Sequence, residues 1–285
     1  MAGTSTIAIM YDFDKTLTPK DQQEYTFIPE MGMQSEEFWD KPNALTRDKG
    51  MDSMLAYMYF MLHEARYKSK AISRDAFVEH GKKLEYFQGV EDWFDRINVY
   101  CEVMGIHVEH YIISSGLREI IEGSVIFPNF KEVFACEFYY DADNVAIWPK
   151  NVVNYTTKTQ FVYRINKGVL DLTDDKTLNE YTPEEDRPIP FRNMIFIGDG
   201  LTDVPCMRLV KSNGGYSIAV YTEKKKVQEL IAHGRVNFIA PADYSEGGEL
   251  DNLVKDILLK ISTEDKLAAL TKTQRAEMRA AAETI

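Results

Sequence analysis

The 285-residue chain has few cysteines, no long apolar run and no excess of basic residues. Its three cysteines (Cys101, Cys136 and Cys206) are far apart, form no Cys-x-x-Cys pair and lie in apolar contexts. We therefore expect three buried thiols in a reducing compartment. No run approaches the roughly 20 apolar residues of a membrane span. The first apolar run is short and lacks a basic flank, so we expect no signal peptide and a cytoplasmic location.

The charge of the chain restricts its partners. With 33 basic and 45 acidic residues, the net charge is −12. Nucleic acids and anionic membranes need a basic face, so we expect neither as a partner. The acidity does not exclude an anionic substrate, because a bound divalent cation inverts the local field. The length suits one large domain with an insert, or two domains.

Two aspartates directly follow the first apolar run, residues 7–11. Such a run is typical of a strand that is buried on both faces of a parallel sheet. Asp12 and Asp14 are two residues apart, so an extended backbone points both side chains to the same side. Carboxylates this close repel each other unless a cation or a shared proton lies between them. The alternative interpretation is an acidic turn in which Asp12 caps a helix.

Further apolar runs alternate with helical patterns, which predicts an α/β fold with a doubly wound parallel sheet. The predicted strands after the first are 110–114, 133–136, 194–197, 217–220 and 238–239, with a hairpin over 138–148 that turns at 141–144. Ligands of such sheets bind beyond the carboxyl ends of the strands. Asp12, Asp14, Ser114, Asp199 and Asp203 all lie at or just after strand ends. We therefore expect these five residues to form one site.

The chain divides into a predicted α/β core (1–18 and 89–262), a helical insert (19–88) and a polar helical tail (263–285). Within the insert, helical spacing predicts helices over 51–67 and 73–86, and further helices are expected over 90–105 and 156–167. His107 and His110 face opposite sides of a strand, so we expect two structural histidines rather than a metal pair. Asp21 and Arg66 are either substrate contacts or solvated surface charges, and we favour the second interpretation.

Four segments together resemble the haloacid dehalogenase-like (HAD) phosphatase superfamily. Residues 12–18 (Asp-Phe-Asp-Lys-Thr-Leu-Thr) resemble its first motif and Ser114 its second. Residues 198–203 (Gly-Asp-Gly-Leu-Thr-Asp) resemble the fourth motif, and a lysine near Lys158 the third. The position of the insert resembles the helical cap of phosphoserine phosphatase-like members. Ser115 departs from the Ser-Gly-Gly that is often seen there, which argues against that particular substrate.

The resemblance implies a phosphatase that acts on a small phosphomonoester. It implies that Asp12 is the nucleophile, forming an aspartyl-phosphate, and that Asp14 is the general acid and base. It also implies Mg²⁺ as the cofactor, held by Asp12, the backbone carbonyl of Asp14 and Asp199. Asp203 would be a further ligand or would orient a water molecule. Ser114 and a lysine would bind the remaining phosphoryl oxygens.

The phosphate-binding lysine is either Lys158 or Lys167. Lys167 precedes Gly168 at the end of its predicted helix, where the helix dipole favours a cation without a functional reason. Lys158 lies in the first turn, where a cation is disfavoured by about 0.3–1 kcal/mol. A partner that offsets this cost is needed, and clustered aspartates with a phosphate would supply it. We therefore predict Lys158.

Two other functions fit parts of the pattern. A phosphotransferase or phosphomutase would use the same residues with a sugar hydroxyl as the acceptor. A catalytically inactive binding protein on this fold is a second alternative, although every motif residue is present. A dinucleotide-binding protein is disfavoured, because no Gly-x-Gly-x-x-Gly follows the first strand.

Overall fold

The computed structural model describes residues 6–70 and 72–282, and within these ranges seven strands form a single sheet. The order of the strands across the sheet is β4-β3-β2-β1-β5-β6-β7. The strands are β1 (Thr6–Tyr11), β2 (His107–Leu117), β3 (Phe130–Tyr140), β4 (Ala146–Asn151), β5 (Met194–Gly198), β6 (Tyr216–Tyr221) and β7 (Phe238–Pro241).

The first strand lies at the centre of this sheet. It pairs in parallel with β2 on one side and with β5 on the other, so that Tyr11 is opposite both Ile112 and Ile197. Every other neighbouring pair is parallel except β3 and β4, which are antiparallel. The side chains of Ile7 to Tyr11 are almost completely buried, as expected for a strand covered on both faces. The predicted doubly wound α/β fold is confirmed.

Helices connect the strands and cover the sheet. They are α1 (Phe27–Glu30), α2 (Ser35–Lys49), α3 (Ser53–Tyr67), α4 (Arg74–Gly81), α5 (Val90–Met104), α6 (Arg118–Glu122), α7 (Lys158–Lys167), α8 (Asp175–Asn179), α9 (Val204–Ser212), α10 (Gln228–Ala232) and α11 (Glu249–Ala282). Single 3-10 turns occur at Gln22–Glu24, Phe127–Asn129, Glu184–Asp186, Phe191–Asn193, Leu201–Asp203 and Lys224–Lys226. As predicted, α5 and α7 end at glycines with left-handed backbone angles, Gly105 at φ 67° and Gly168 at φ 70°.

Three elements differ from their predictions. The helix that starts at the Ser73 cap ends at Gly81, not at residue 86. Gly81 lies so close to the α6 region that a Cβ there would meet the carbonyl oxygen of Ile120 at 2.0 Å, so the backbones touch before the chain turns away. The strand predicted over 133–136 and the first arm of the hairpin are one strand, β3, which continues to the turn at Asp141.

The third difference is α2, which the sequence analysis did not identify as a helix. It contains Pro42 in its interior, and its buried residues are only Phe38 and Pro42. A proline and a weak apolar stripe are both poor helix signals. The clearest signal is Gly50, which ends the helix with a left-handed φ of 67°.

The last helix passes through the predicted end of the core. The segment has neither glycine nor proline between Glu249 and Ala282, so nothing interrupts the helix at residue 262. Asp265, beyond that boundary, still accepts a hydrogen bond from Asn193 Nδ2 at 2.7 Å. Further along, Leu267 and Leu270 are exposed, so this part of the helix is packed only loosely. The predicted domain limits at residues 1 and 285 lie outside the described residues.

The prediction of buried free thiols is confirmed, and of the two histidines only His110 has the buried position of a structural residue. Each of the three cysteines is a buried free thiol. His107 is exposed, whereas His110 is buried and forms hydrogen bonds to Tyr11 (3.0 Å) and Asn98 (3.1 Å). Of the helices within residues 6–70 and 72–282, none combines the length and the apolarity that a membrane crossing requires.

Candidate active site

A tight turn at the end of β1 places the first two aspartates. The backbone N–H of Asp12 donates to the carbonyl of Ile197 at 2.9 Å, which continues the pairing with β5 for one residue. The carbonyl of Phe13 then accepts from the N–H groups of residues 16, 17 and 18, and Lys15 has a left-handed φ of 58°. A non-glycine residue in this region is strained, and such strain is common at functional sites. The turn holds Asp12 and Asp14 beyond the carboxyl end of the sheet.

A buried lysine links the first strand to the loop after β5. Lys158 Nζ lies 2.9 Å from Asp12 Oδ2 and 2.8 Å from Asp203 Oδ1. The side chains of Lys158 and Asp203 are completely buried, so this charge cluster lies in a medium where each charge needs a partner. Burial alone would lower the pKa of Lys158, but the negative charges of Asp12 and Asp203 outweigh it and raise the pKa above its ordinary value.

Three carboxyl groups converge at this point. Asp12, Asp199 and Asp203 each offer an oxygen atom, and these atoms lie within 4.8 Å of one another. Burial, followed by the charge of Asp12, raises the pKa of Asp199 to about 7 and that of Asp203 to about 8. Three carboxyl groups share one ammonium group, so the site has an excess of negative charge. A further cation at this position would reduce the repulsion between the carboxylates.

One oxygen in the cluster is left without a partner. Asp203 Oδ2 is buried and forms no hydrogen bond within the described part of the chain. The neighbouring residue Gly198 leaves room for it, because a Cβ at Gly198 would meet this oxygen at 2.4 Å. An orphaned carboxylate oxygen in a group of three carboxylates fits a hard divalent cation such as Mg²⁺.

Asp14 occupies a different environment from the other carboxylates. Its side chain accepts hydrogen bonds from the Gln22 backbone N–H (2.8 Å) and from Gln22 Nε2 (3.3 Å). Burial raises the pKa of Asp14 well above its ordinary value, and the charges of Asp21 and Asp12 raise it further. Asp14 therefore holds its proton to a higher pH than an exposed carboxyl group does.

The second strand brings Ser114 to the same place. Ser114 is completely buried, and its Oγ accepts from the Gly116 N–H at 3.0 Å. Gly116 has no space for a side chain, since a Cβ would lie 1.7 Å from Gln22 Nε2 and 2.7 Å from Asp14 Oδ2. A cavity of about 440 Å³ opens here, and Asp12, Asp14, Ser114 and Asp199 all line it. The sequence-predicted residues thus come together around one cavity, with Lys158 and Asp203 buried beside Asp12.

The two candidate lysines have different surroundings. Lys158 is the first residue of α7 and contacts the aspartates, which is the arrangement that the helix-dipole argument required. Lys167 lies at the other end of the helix and donates to the carbonyl oxygens of Leu178 and Glu180, both at 2.6 Å. Its contacts lie at the end of α8, away from the carboxylate cluster.

Several residues at the cavity were missed by the sequence analysis. Gln22 holds Asp14, and Tyr57 of α3 donates from its hydroxyl to the backbone carbonyl of Ser115 at 2.9 Å. Neither residue stands in a motif, so no local pattern distinguishes it. Asp21, interpreted as a solvated charge, instead lines the cavity and forms an ion pair with Lys15 at 2.6 Å. Arg66 is exposed and does not line this cavity.

A second contact joins α3 to the core, at the segment just before α7. Asp52 caps the start of α3 by accepting from the N–H groups of Met54 and Leu55 at 2.9 and 3.1 Å. Its other oxygen accepts from Asn154 Nδ2 at 3.0 Å. Asn154 in turn accepts from two backbone N–H groups just before Lys158. The start of α3 is thereby tied to the start of the helix that carries the buried lysine.

Comparisons with known proteins agree with this geometry. An uncharacterized protein of Borreliella burgdorferi is 29% identical over 278 residues, covering 88% of this chain and 95% of that protein. The fold is similar to a HAD family hydrolase of Salmonella enterica serovar Typhi, with a TM-score of 0.58, 15% identity and coverage of 88% and 72% of the two chains. It is also similar to a substrate-bound phosphoserine phosphatase, with a TM-score of 0.56, 13% identity and coverage of 88% and 98%.

The family model of the haloacid dehalogenase-like hydrolases matches residues 9–208. This match contains the first strand with its two aspartates, the buried lysine and the carboxylates after β5. It extends over more than half of the chain. The chain therefore belongs to the haloacid dehalogenase-like hydrolase family.

Proposed function

We propose that this protein is a Mg²⁺-dependent phosphomonoester hydrolase that acts through an aspartyl-phosphate on a small phosphorylated metabolite. The observation that carries the proposal is the pair of unlike carboxyls at the end of β1. Asp12 forms an ion pair with Lys158 at 2.9 Å, whereas burial and neighbouring charges raise the pKa of Asp14. Two carboxyl groups with different environments are what a nucleophile and a proton donor need.

In the first step, a carboxylate oxygen of Asp12 attacks the phosphorus atom. The bond between phosphorus and the leaving-group oxygen breaks, and the proton of Asp14 passes to that oxygen, so the alcohol leaves neutral. The raised pKa of Asp14 supports this role, because the carboxyl must hold its proton until the bond breaks. The products of this step are the alcohol and a phosphorylated Asp12.

In the second step, Asp14 acts as a base. It now lacks its proton, so it can take one from a water molecule as that water attacks the phosphorus atom of the aspartyl-phosphate. The bond between phosphorus and Asp12 breaks, releasing inorganic phosphate and restoring both carboxyl groups. General acid–base catalysis of this kind typically contributes about 10²–10⁴-fold to the rate.

Mg²⁺ would be held by Asp12, Asp199 and Asp203 together with the backbone carbonyl of Asp14. When bound, it supplies positive charge that lets an anionic carboxylate approach an anionic phosphate. The orphaned Oδ2 of Asp203 and the excess negative charge of the cluster support this assignment.

Lys158 and Ser114 would hold the phosphoryl oxygens that carry negative charge in the transition state. Lys158 is already charged and fixed by two aspartates before the substrate arrives, so little reorganisation accompanies binding. Ser114 Oγ lines the same cavity and has a hydroxyl proton to donate.

We further propose that residues 19–88 form a cap that excludes water from the site. Side chains from α2 and α3 line the same cavity as the carboxylates, which supports this function for the insert. The bonds from Tyr57 to Ser115 and from Asp52 to Asn154 would hold the cap in its closed position. A cytoplasmic location is consistent with the three buried free thiols.

The proposal is tested by hydrolysis of p-nitrophenyl phosphate by the purified protein. We expect turnover with Mg²⁺, loss of turnover in EDTA, and its return when Mg²⁺ is added in excess. An acid-stable phosphoryl adduct on the native protein, absent in Asp12→Asn, is expected by mass spectrometry. Full activity in excess EDTA would refute the metal dependence, and full activity of Asp12→Asn would refute the nucleophile.

A further inference from the structure

One wall of the cavity is uncharged. Helices α2 and α3 contribute it. Its six lining residues are Trp39, Pro42, Asn43, Ser53, Met54 and Tyr57. Three of these side chains are aromatic or thioether groups, and the remainder are proline or small polar groups. This wall belongs to the same cavity as Asp12, so the leaving group of a phosphomonoester bound there would be within its reach.

Within the described residues, no unpaired cation lines the cavity. Among its lining residues, all within the described chain, the one cationic side chain is Lys15, which is occupied by Asp21 at 2.6 Å. Lys158 is buried between two aspartates and does not line the cavity. Arg66, on the same helix as Tyr57, is exposed and outside the cavity lining. A carboxylate on the leaving group would therefore meet several aspartates and no unpaired cation.

One residue of this wall, Trp39, carries a hydrogen-bond donor on an aromatic ring. In the described chain, Trp39 Nε1 is buried and has no hydrogen-bond partner. The Trp39 ring is held edge-on by Phe38 at 5.0 Å and by Tyr57 at 6.0 Å between ring centroids. On the core side, Ser115 Oγ also lacks a partner among the described residues. A buried N–H is costly when it is unpaired, so a ligand that accepts from it gains affinity.

We propose that the leaving group of the substrate is an uncharged alcohol with a flat apolar or aromatic face and a neutral hydrogen-bond acceptor, and that it carries no carboxylate. This inference rests on the proposed phosphomonoesterase function and specifies its substrate class. The flat face packs on Trp39 and Met54, and the acceptor takes the hydrogen bond of Trp39 Nε1. Carboxylate-bearing esters, phosphoserine among them, are excluded because no cation is free to pair with them.

The test uses two esters that differ by one charge. 4-Carbamoylphenyl phosphate and 4-carboxyphenyl phosphate have nearly the same shape, but only the second carries an anion on its leaving group. We expect kcat/KM of the native protein with Mg²⁺ to be at least about tenfold higher for the carboxamide, since an unpaired carboxylate lies near like charges at low effective dielectric. Phenyl phosphate serves as the reference without an acceptor.

Two substitutions on the wall test the cause of the discrimination. Asn43 is exposed on α2 and lines the cavity, so Asn43→Arg places a cation on this wall at a tolerant position. We expect this variant to lower or reverse the preference for the carboxamide, whereas the matched control Asn43→Gln keeps it. Trp39→Phe removes the N–H and keeps an aromatic ring, and we expect it to raise KM for the carboxamide by a larger factor than for phenyl phosphate.

The outcomes separate this inference from the function on which it rests. If no ester is hydrolysed and no phosphoenzyme forms, the proposed function itself is wrong. If all three esters are hydrolysed and the carboxylate ester is equal to or better than the carboxamide, the function stands and the inferred substrate class is wrong. An unchanged carboxamide preference in Asn43→Arg, or equal KM effects of Trp39→Phe on both neutral esters, would likewise overturn the inference.

Discussion

Replacing Lys158 is the sharpest test of how the site is built. Lys158→Ala removes the one ammonium that contacts both Asp12 and Asp203. The two carboxyl groups remain buried, so the variant loses an ion pair and also retains uncompensated negative charge. Lys158→Met removes the same charge but fills the space, and it separates the effect of charge from that of a cavity.

Removal of one partner from a buried ion pair typically costs about 3–5 kcal/mol of unfolding free energy. We expect the lower part of this range at neutral pH, because burial already raises the pKa of Asp203 to about 8 and the carboxyl can take up a proton in the variant. Protonation reduces the penalty, so the variants should be more stable at pH 6 than at pH 9. For catalysis, loss of a preorganised charge beside the phosphoryl group should lower kcat by about 10²–10³-fold.

Lys167→Ala is the matched control on the same helix. It removes hydrogen bonds to two backbone carbonyls at the end of α8 and leaves the carboxylate cluster intact. We expect a loss of about 1 kcal/mol in stability and a change in kcat/KM of no more than about twofold. The measurements are urea unfolding at both pH values and initial rates with p-nitrophenyl phosphate and Mg²⁺. If Lys167→Ala is inactive while Lys158→Ala remains active, the reasoning is wrong and Lys167 is the phosphate-binding lysine.

Further predictions concern the other parts of the site. Asp12→Asn should form no phosphoenzyme, whereas Asp14→Asn should lower kcat by about 10²–10⁴-fold and still be protected from unfolding by Mg²⁺; equal adduct formation in both variants would contradict these roles. In EDTA, the free energy of unfolding should fall as the pH rises from about 4 to about 7. Burial raises the pKa of Asp199 to about 7, so in this range the folded state holds a proton that the unfolded state has released. Added Mg²⁺ should flatten this slope, and a metal-independent slope would argue against the cation site. Asp52→Ala should cost about 1–2 kcal/mol of helix capping and increase protease cleavage of the insert, and beryllofluoride with Mg²⁺ should reduce cleavage in the native protein. Ser73→Ala, which removes a helix cap without the bond to α7, should leave the beryllofluoride protection unchanged.

The strands and the residues at their ends could be predicted from sequence because both signals are local. A run such as residues 7–11 is apolar throughout since β1 is covered on both faces, and Asp12 follows it directly. Parallel pairing then brings residues from distant segments to one edge without any long-range sequence signal. The contact of Lys158 with aspartates could also be predicted, because a cation in the first turn of a helix is disfavoured by the helix dipole and needs a negatively charged partner.

The cavity wall could not be predicted in the same way. Gln22 contacts Asp14 because the chain reverses its direction between the two residues. Trp39 lies on α2, which is difficult to recognise as a helix in the sequence because it contains Pro42. Their roles depend on how the insert packs over the sheet, which is a tertiary property. Asp21 illustrates the same limit, because its pairing with Lys15 depends on the left-handed turn that follows Asp14.

The central position of β1 also affects the nascent chain during its synthesis. This strand is synthesised before both of its neighbours, β2 and β5, and β5 begins only at Met194. Until that residue has left the ribosome, one edge of β1 has no native partner and Asp12 has no carboxylates from the later loop beside it. Long-range parallel pairing of this kind forms slowly and leaves strand edges exposed in the meantime. The carboxylate cluster can therefore form only after β5 and the loop that follows it have been synthesised. In a nascent chain that stops before Met194, a chaperone would be needed to cover the exposed edge of β1, and a metal ion could not replace it.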